Sequence, residues 1–101
     1  MIIYNITINI DLSVELDWLD WMKTNHIPEV MLTGMFKEFK MFRLLGDSES
    51  GGKTYCIQYT CESIENFKTY EDVFAPELRS EYNNRFKDKY VAFRTLLETV
   101  D

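Results

Sequence analysis

Cysteine, proline, glycine and histidine are all scarce in this chain of 101 residues, at two, two, four and one. The two cysteines, Cys56 and Cys61, are an odd number of residues apart. On one strand they point to opposite faces and cannot pair, which suits a reducing, cytoplasmic setting. With one histidine and no Cys-x-x-Cys, the ligand count for a metal site built from protein alone fails. So few prolines and glycines leave no linker and no low-complexity tract. Positive charge is also short. Eleven Lys and Arg against 17 Asp and Glu give a net charge of −6, the wrong sign for a nucleic-acid or anionic-membrane surface. No apolar run reaches the length of a membrane span. The opening Met1 to Ile10 has no basic start and no small-residue cleavage site, so it does not read as a signal peptide.

What is abundant is apolar and aromatic: 46% of residues are hydrophobic and 15% are Phe, Trp or Tyr, which predicts a core of large side chains. Residues 1–101 read as one domain, since two units would each be too small for a core of their own. Met1 to Ile10 alternates, with Tyr4, Ile6, Ile8 and Ile10 opposite Ile3, Asn5, Thr7 and Asn9, as in a half-buried strand. Val14, Trp18, Trp21 and Met22 then recur at helical spacing over about Ser13 to Asn25. Pro28 is expected to end that helix and open a short second one, Glu29 to Leu32, closed by Gly34. Met35 to Leu45 predicts a strand, Gly46 to Gly52 a hairpin loop, and Lys53 to Cys61 a third strand. Gly51-Gly52-Lys53-Thr54 lacks the upstream glycine of a phosphate loop and is read as part of that turn. Ser63 caps a helix carrying Phe67, Phe74, Tyr82 and Phe86. Pro76 should divide it into two consecutive helices or kink it sharply. Tyr90 to Thr99 predicts a fourth strand.

Strand, helix, strand, strand, helix, strand is the order of an α+β, ferredoxin-like βαββαβ plait with a four-stranded antiparallel sheet. Helices then cover one sheet face. Alternation assigns Tyr4, Ile6, Ile8, Ile57, Tyr59, Val91 and Phe93 to that side. Ile3, Asn5, Thr7, Cys56, Gln58, Ala92, Arg94 and Leu96 are assigned to the bare side, with Arg43 expected to join them. A bare face of mixed character predicts a homodimer packed sheet to sheet.

The chain also resembles a known family. The resemblance runs through Met1-Ile2-Ile3-Tyr4-Asn5-Ile6-Thr7-Ile8-Asn9-Ile10, Trp18-Leu19-Asp20-Trp21-Met22-Lys23 and Thr33-Gly34-Met35-Phe36. It continues in Phe74-Ala75-Pro76 and Val91-Ala92-Phe93-Arg94-Thr95-Leu96-Leu97, and His26-Ile27-Pro28-Glu29-Val30 is its most distinctive segment. The family comprises small uncharacterised bacterial proteins known only as a domain of unknown function. Its element pattern is similar to the dimeric α/β-barrel superfamily, in which two plaits close into one barrel. That superfamily includes small monooxygenases, haem-degrading enzymes and isomerases, so the resemblance implies a fold and a dimer but no activity.

The candidate chemistry rests on a few residues. Arg94 and Arg43 lie inside strands among apolar neighbours, where a charge needs a partner. With Asn5, Thr7 and Gln58, Arg94 is expected to form a polar pocket for a small anionic molecule between the sheets, because a guanidinium fork suits a carboxylate or phosphate. An ion pair with Glu38, Glu98 or the other subunit is the structural alternative. His26 is the weak catalytic candidate, a general base or haem ligand, against a plain role as a cation at a helix C-terminus. Two other functions stay open: a cofactor-independent or haem-linked enzyme of monooxygenase or isomerase type, and an adaptor docking partners on an exposed Trp-rich helix.

Overall fold

The computed structural model describes residues 1–46 and 51–101. Strand β1 (Ile2–Asp11) runs into a single 3-10 turn (Leu12–Val14), which begins where the Asp11 carboxylate accepts from the Ser13 backbone N–H at 2.8 Å. Helices α1 (Glu15–Trp21) and α2 (Ile27–Leu32) follow, joined by a π-turn over Met22–His26. Next come β2 (Glu38–Arg43) and β3 (Gly52–Cys61). Then α3 (Ile64–Thr69) and α4 (Ala75–Phe86), with a second π-turn over Tyr70–Phe74, lead to β4 (Tyr90–Glu98). The strands form one antiparallel sheet in the order β2-β3-β1-β4, with the first and third strands of the sequence paired at its centre. This is the ferredoxin-like α+β plait. The hairpin turn expected between Gly46 and Gly52 falls on residues 47–50, outside the described residues.

Three expectations need correction. Pro28 does not end the first helix. Ile27, just before it, keeps helical dihedrals (φ −61°, ψ −45°), and its N–H reaches back five residues to the Met22 carbonyl. The wider π-turn makes room for the proline ring, which in an α-helix would meet the turn before it. Pro76 is handled the same way: the Ala75 N–H bonds to the Tyr70 carbonyl, and α3 passes into α4 through the π-turn. Each proline is the second residue of the α-helix that follows.

The second correction is the parity of β4. Ile6 pairs with Arg94, Ile8 with Ala92 and Tyr4 with Leu96, so these β4 residues share the helix-covered face. Val91 and Phe93 lie on the bare face, 60% and 66% exposed. β4 carries apolar residues on both sides, so its own pattern leaves the register open, and pairing with β1 sets it. The third is β2, shorter than expected. Its Arg43 lies opposite Tyr55 on the helix-covered side, not the bare one. Cys56 and Cys61 are both free and on opposite faces, as expected.

The core lies between the helices and the covered face. Trp18 and Ile57 are fully buried, with Tyr59, Met22, Val30 and Phe86 nearly so. Trp18 donates its indole N–H to the Tyr82 hydroxyl at 2.5 Å, the partner a buried indole needs. Trp21 is 4% exposed, so the tryptophan-bearing side of the first helix is core. The docking surface assigned to it in the adaptor reading does not exist.

Candidate functional site

The two π-turns converge over β1 and β4. Met22 and His26 come down from the first and Tyr70 from the second, while α4 contributes Arg79 and Tyr82. The floor is Tyr4, Ile6 and Ile8 of β1 with Tyr90, Ala92 and Arg94 of β4. Between them lies a partly open cavity of about 30 Å³, room for about one water molecule or a single small polar group. Each π-turn thus contributes to the cavity wall, Met22 and His26 from the first and Tyr70 from the second.

His26 sits half-buried at the cavity wall, stacked on Trp21 (ring centres 5.0 Å apart) and edge-on to Tyr82 at 5.2 Å. Burial, helped by the positive field of Arg94, pulls its pKa down from 6.5 to about 4, so the ring is neutral at physiological pH. It is therefore not the cation at a helix end that its sequence position suggested. Arg79 donates to the Tyr4 hydroxyl at 3.0 Å and to the Glu71 carboxylate at 2.5 Å. Burial works against its charge, but those two bonds outweigh burial and hold its pKa above the usual arginine range. Burial also raises the pKa of Tyr70, Tyr82 and Tyr90, so all three stay protonated and available as donors. The Tyr70 hydroxyl has no hydrogen-bond partner among the described residues.

Arg94 differs from the other arginines. Arg79 pairs with Glu71 and Arg85 with Asp17. Arg43 donates to the Tyr55 hydroxyl at 3.2 Å, and Tyr55 in turn donates to Glu15 at 2.5 Å. Arg94 makes neither a hydrogen bond nor an ion pair with any described residue, so neither Glu38 nor Glu98 balances it.

The sequence-derived pocket is thus divided between the two faces. Asn5, Thr7, Cys56 and Gln58 do meet on the bare face: Asn5 donates to Thr7 at 3.2 Å, the Thr7 hydroxyl lies 3.7 Å from the Cys56 sulfur, and Gln58 pairs with Asn5. Arg94 is on the other side of the sheet with His26, and Arg43 is held at the sheet edge by Tyr55. Sequence reasoning missed Arg79 and the tyrosines. Their signal was present, since each tyrosine in an aromatic core stripe carries a hydroxyl that must be satisfied.

The sheet order and its helix cover place the chain among ferredoxin-like α+β proteins. Residues 1–100 match DUF4286, a domain of unknown function, and the chain belongs to that family. No curated protein matches its sequence. Several solved structures share the fold at low identity. An EthD (ethyl tert-butyl ether d) family protein from Bacillus halodurans aligns with a TM-score of 0.69 and 15% identity, over 99% of this chain and 100% of its own. A dimeric ferredoxin-like protein of unknown function from Thermobifida fusca aligns at 0.59 and 18%, over 96% and 92%. MhuD, crystallised as a variant with two manganese protoporphyrins per active site, aligns at 0.70 and 17%, over 99% and 95%. A porphyrin does not fit here: the cavity is many times too small, and Trp21 and Tyr82 cover the His26 ring.

Proposed function

We propose that the protein is a homodimer, joined through its bare sheet faces, whose protomers each bind a small anionic molecule in the cavity beneath the helices. The observation that carries the ligand is Arg94, a cavity-lining guanidinium without an anionic partner among the described residues. Arg94 is exposed and faces the helix side, so a sheet-to-sheet partner cannot pair with it and its guanidinium fork is open to a small anion. The corrected register strengthens the case for the dimer. Phe42, Val91, Phe93 and Leu97 lie on the bare face, 48%, 60%, 66% and 44% exposed, around a polar middle of Asn5, Thr7 and Gln58. Apolar surface of this kind on one face favours an isologous pair. Two free thiols are consistent with a reducing, cytoplasmic compartment.

The neutral His26 ring at the cavity wall supports a second reading, in which the site is catalytic and His26 accepts a proton from a bound hydroxyl or acidic C–H. The test of the main reading has two arms. Light scattering at micromolar concentration should give twice the chain mass. A thermal-shift series with acetate, phosphate and sulfate should raise the melting temperature of the wild type but not of Arg94→Gln. A monomer mass removes the dimer, and equal shifts in both proteins remove the anion site.

A further inference from the structure

The cavity is not isolated. An open groove of about 360 Å³ beside it is walled by Phe67 of α3 and by Thr95 and Leu96 of β4, and it shares Tyr4, Arg79 and Arg94 with the cavity. Arg94 therefore stands at the junction, with a narrow space for one small group on one side and a larger, open channel on the other. We propose that the ligand is an amphipathic monocarboxylate, its carboxylate on Arg94 at the cavity and its hydrocarbon tail in the groove against Phe67 and Leu96. This rests on the anion-binding reading above and specifies the class of anion.

Three observations narrow the class. The first is size: about 30 Å³ admits a carboxylate-sized head but no ring or phosphorylated sugar. The second is charge. Of the two guanidiniums at the junction, Arg79 is already neutralised by Glu71, which also lines the groove. Only Arg94 is left to balance an anion, and it balances one negative charge. A second carboxylate at the far end of the ligand would lie along a wall holding Glu71 and no free cation among the groove residues. The third is the character of the groove. Phe67 is half-buried and Leu96 is 44% exposed, so the groove offers apolar surface still in contact with water. Covering such surface gains affinity with each methylene added. The Tyr70 hydroxyl, without a partner among the described residues, is placed to donate to the second carboxylate oxygen.

The experiment is a calorimetric series on the wild type at pH 7.5 with acetate, butyrate and hexanoate, and with hexylamine, hexanol and the dianion adipate. Affinity should rise roughly two- to fourfold per added methylene from acetate to hexanoate. Adipate should bind at least tenfold more weakly than hexanoate, and hexylamine and hexanol should not bind measurably. Leu96→Asn, a change at an exposed edge position that the fold should tolerate, should leave acetate affinity within about twofold and flatten the chain-length series. If acetate and hexanoate bind equally, in an Arg94-dependent way, or if adipate matches hexanoate, the amphipathic class is wrong while the anion site stands. If no carboxylate binds the wild type, the anion site itself is wrong and this inference falls with it.

Discussion

The two faces of the sheet are built from the same four strands and end in different chemistry. On the covered face, Tyr4, Ile8, Ile10, Tyr55, Ile57 and Tyr59 are nearly inaccessible, and the chain's own helices supply their partners. On the bare face, the central strands present Asn5, Thr7, Cys56 and Gln58, while the apolar residues lie on the outer strands as Phe42, Val91, Phe93 and Leu97. The covered face is apolar at its centre and carries polar groups at both edges, Arg94 with His26 beside β4 and Arg43 with Tyr55 and Glu15 beside β2. The bare face is polar at its centre and apolar at its margins. The chain covers the first face by itself and leaves the second bare.

The largest test of this contrast is Trp18→Ala. It removes a fully buried ring and orphans the Tyr82 hydroxyl, so urea unfolding should show a loss of about 3–5 kcal/mol. Phe67→Ala should cost less, because Phe67 is only half-buried.

Acid should act on the covered face next. His26 is neutral when folded, with its pKa lowered from 6.5 to about 4 by burial and by Arg94. Below pH 6.5 the unfolded chain takes up a proton that the folded one refuses. Stability should therefore fall as the pH drops from 6.5 towards 4, by at most about 3 kcal/mol, and level off below that. The groups facing the ring are Arg94 and Tyr90 from β4, Arg79 and Tyr82 from α4, Tyr70 from the second π-turn, and Tyr4 from β1. None of them is a carboxylate or a second imidazole, so His26→Gln should remove the slope. A slope that persists in the variant would place its origin elsewhere.

On the bare face, Phe93→Glu should dissociate the dimer while leaving the protomer folded. An aromatic side chain buried in such an interface is worth about 2 kcal/mol or more, some thirtyfold in Kd, read by sedimentation or light scattering. Leu96→Glu, on the other side of the same strand, should spare the dimer, and the reverse pattern would mean that the β4 register is misassigned.

The smallest effect expected is Tyr59→Phe. The Tyr59 hydroxyl is buried on the covered face with no hydrogen-bond partner among the described residues. Removing it while keeping the ring packed on Tyr4 and Phe36 should raise stability by about 0.5–1.5 kcal/mol, seen as a higher urea midpoint at unchanged slope. A loss instead would indicate a bound water or other partner at that oxygen.

Much of this was legible along the chain. Alternation in Met1 to Ile10 and Lys53 to Cys61 placed β1 and β3 and their faces, because both are central strands with one strongly apolar side. The order of elements implied the plait, and the aromatic stripe of Trp18, Trp21, Tyr82 and Phe86 is the core. Pro76 does divide its helix into α3 and α4, but Pro28 does not stop the first helix, because a rule that holds for α-helices does not hold for a π-turn, whose extra residue leaves no mark in hydrophobic periodicity. The site was misassembled because Arg94 was placed by the alternation of a strand that is apolar on both sides, and Arg43 by that of a strand whose pattern leaves its facing open.

What the sequence determined by itself is therefore local. It set the strands and helices, the periodicity of the central strands, and the excess of negative charge. The tertiary structure decided the rest. Pairing with β1 set which way β4 faces, since a strand's side chains change sides with a one-residue shift and only the neighbouring strand fixes that shift. That single register moved Arg94 from the bare face to the cavity and brought it to His26, 68 positions earlier in the chain. It also put Phe93 where a second copy can cover it. Neither proximity nor burial is encoded in any short stretch of residues, because both arise only when distant strands hydrogen-bond in register.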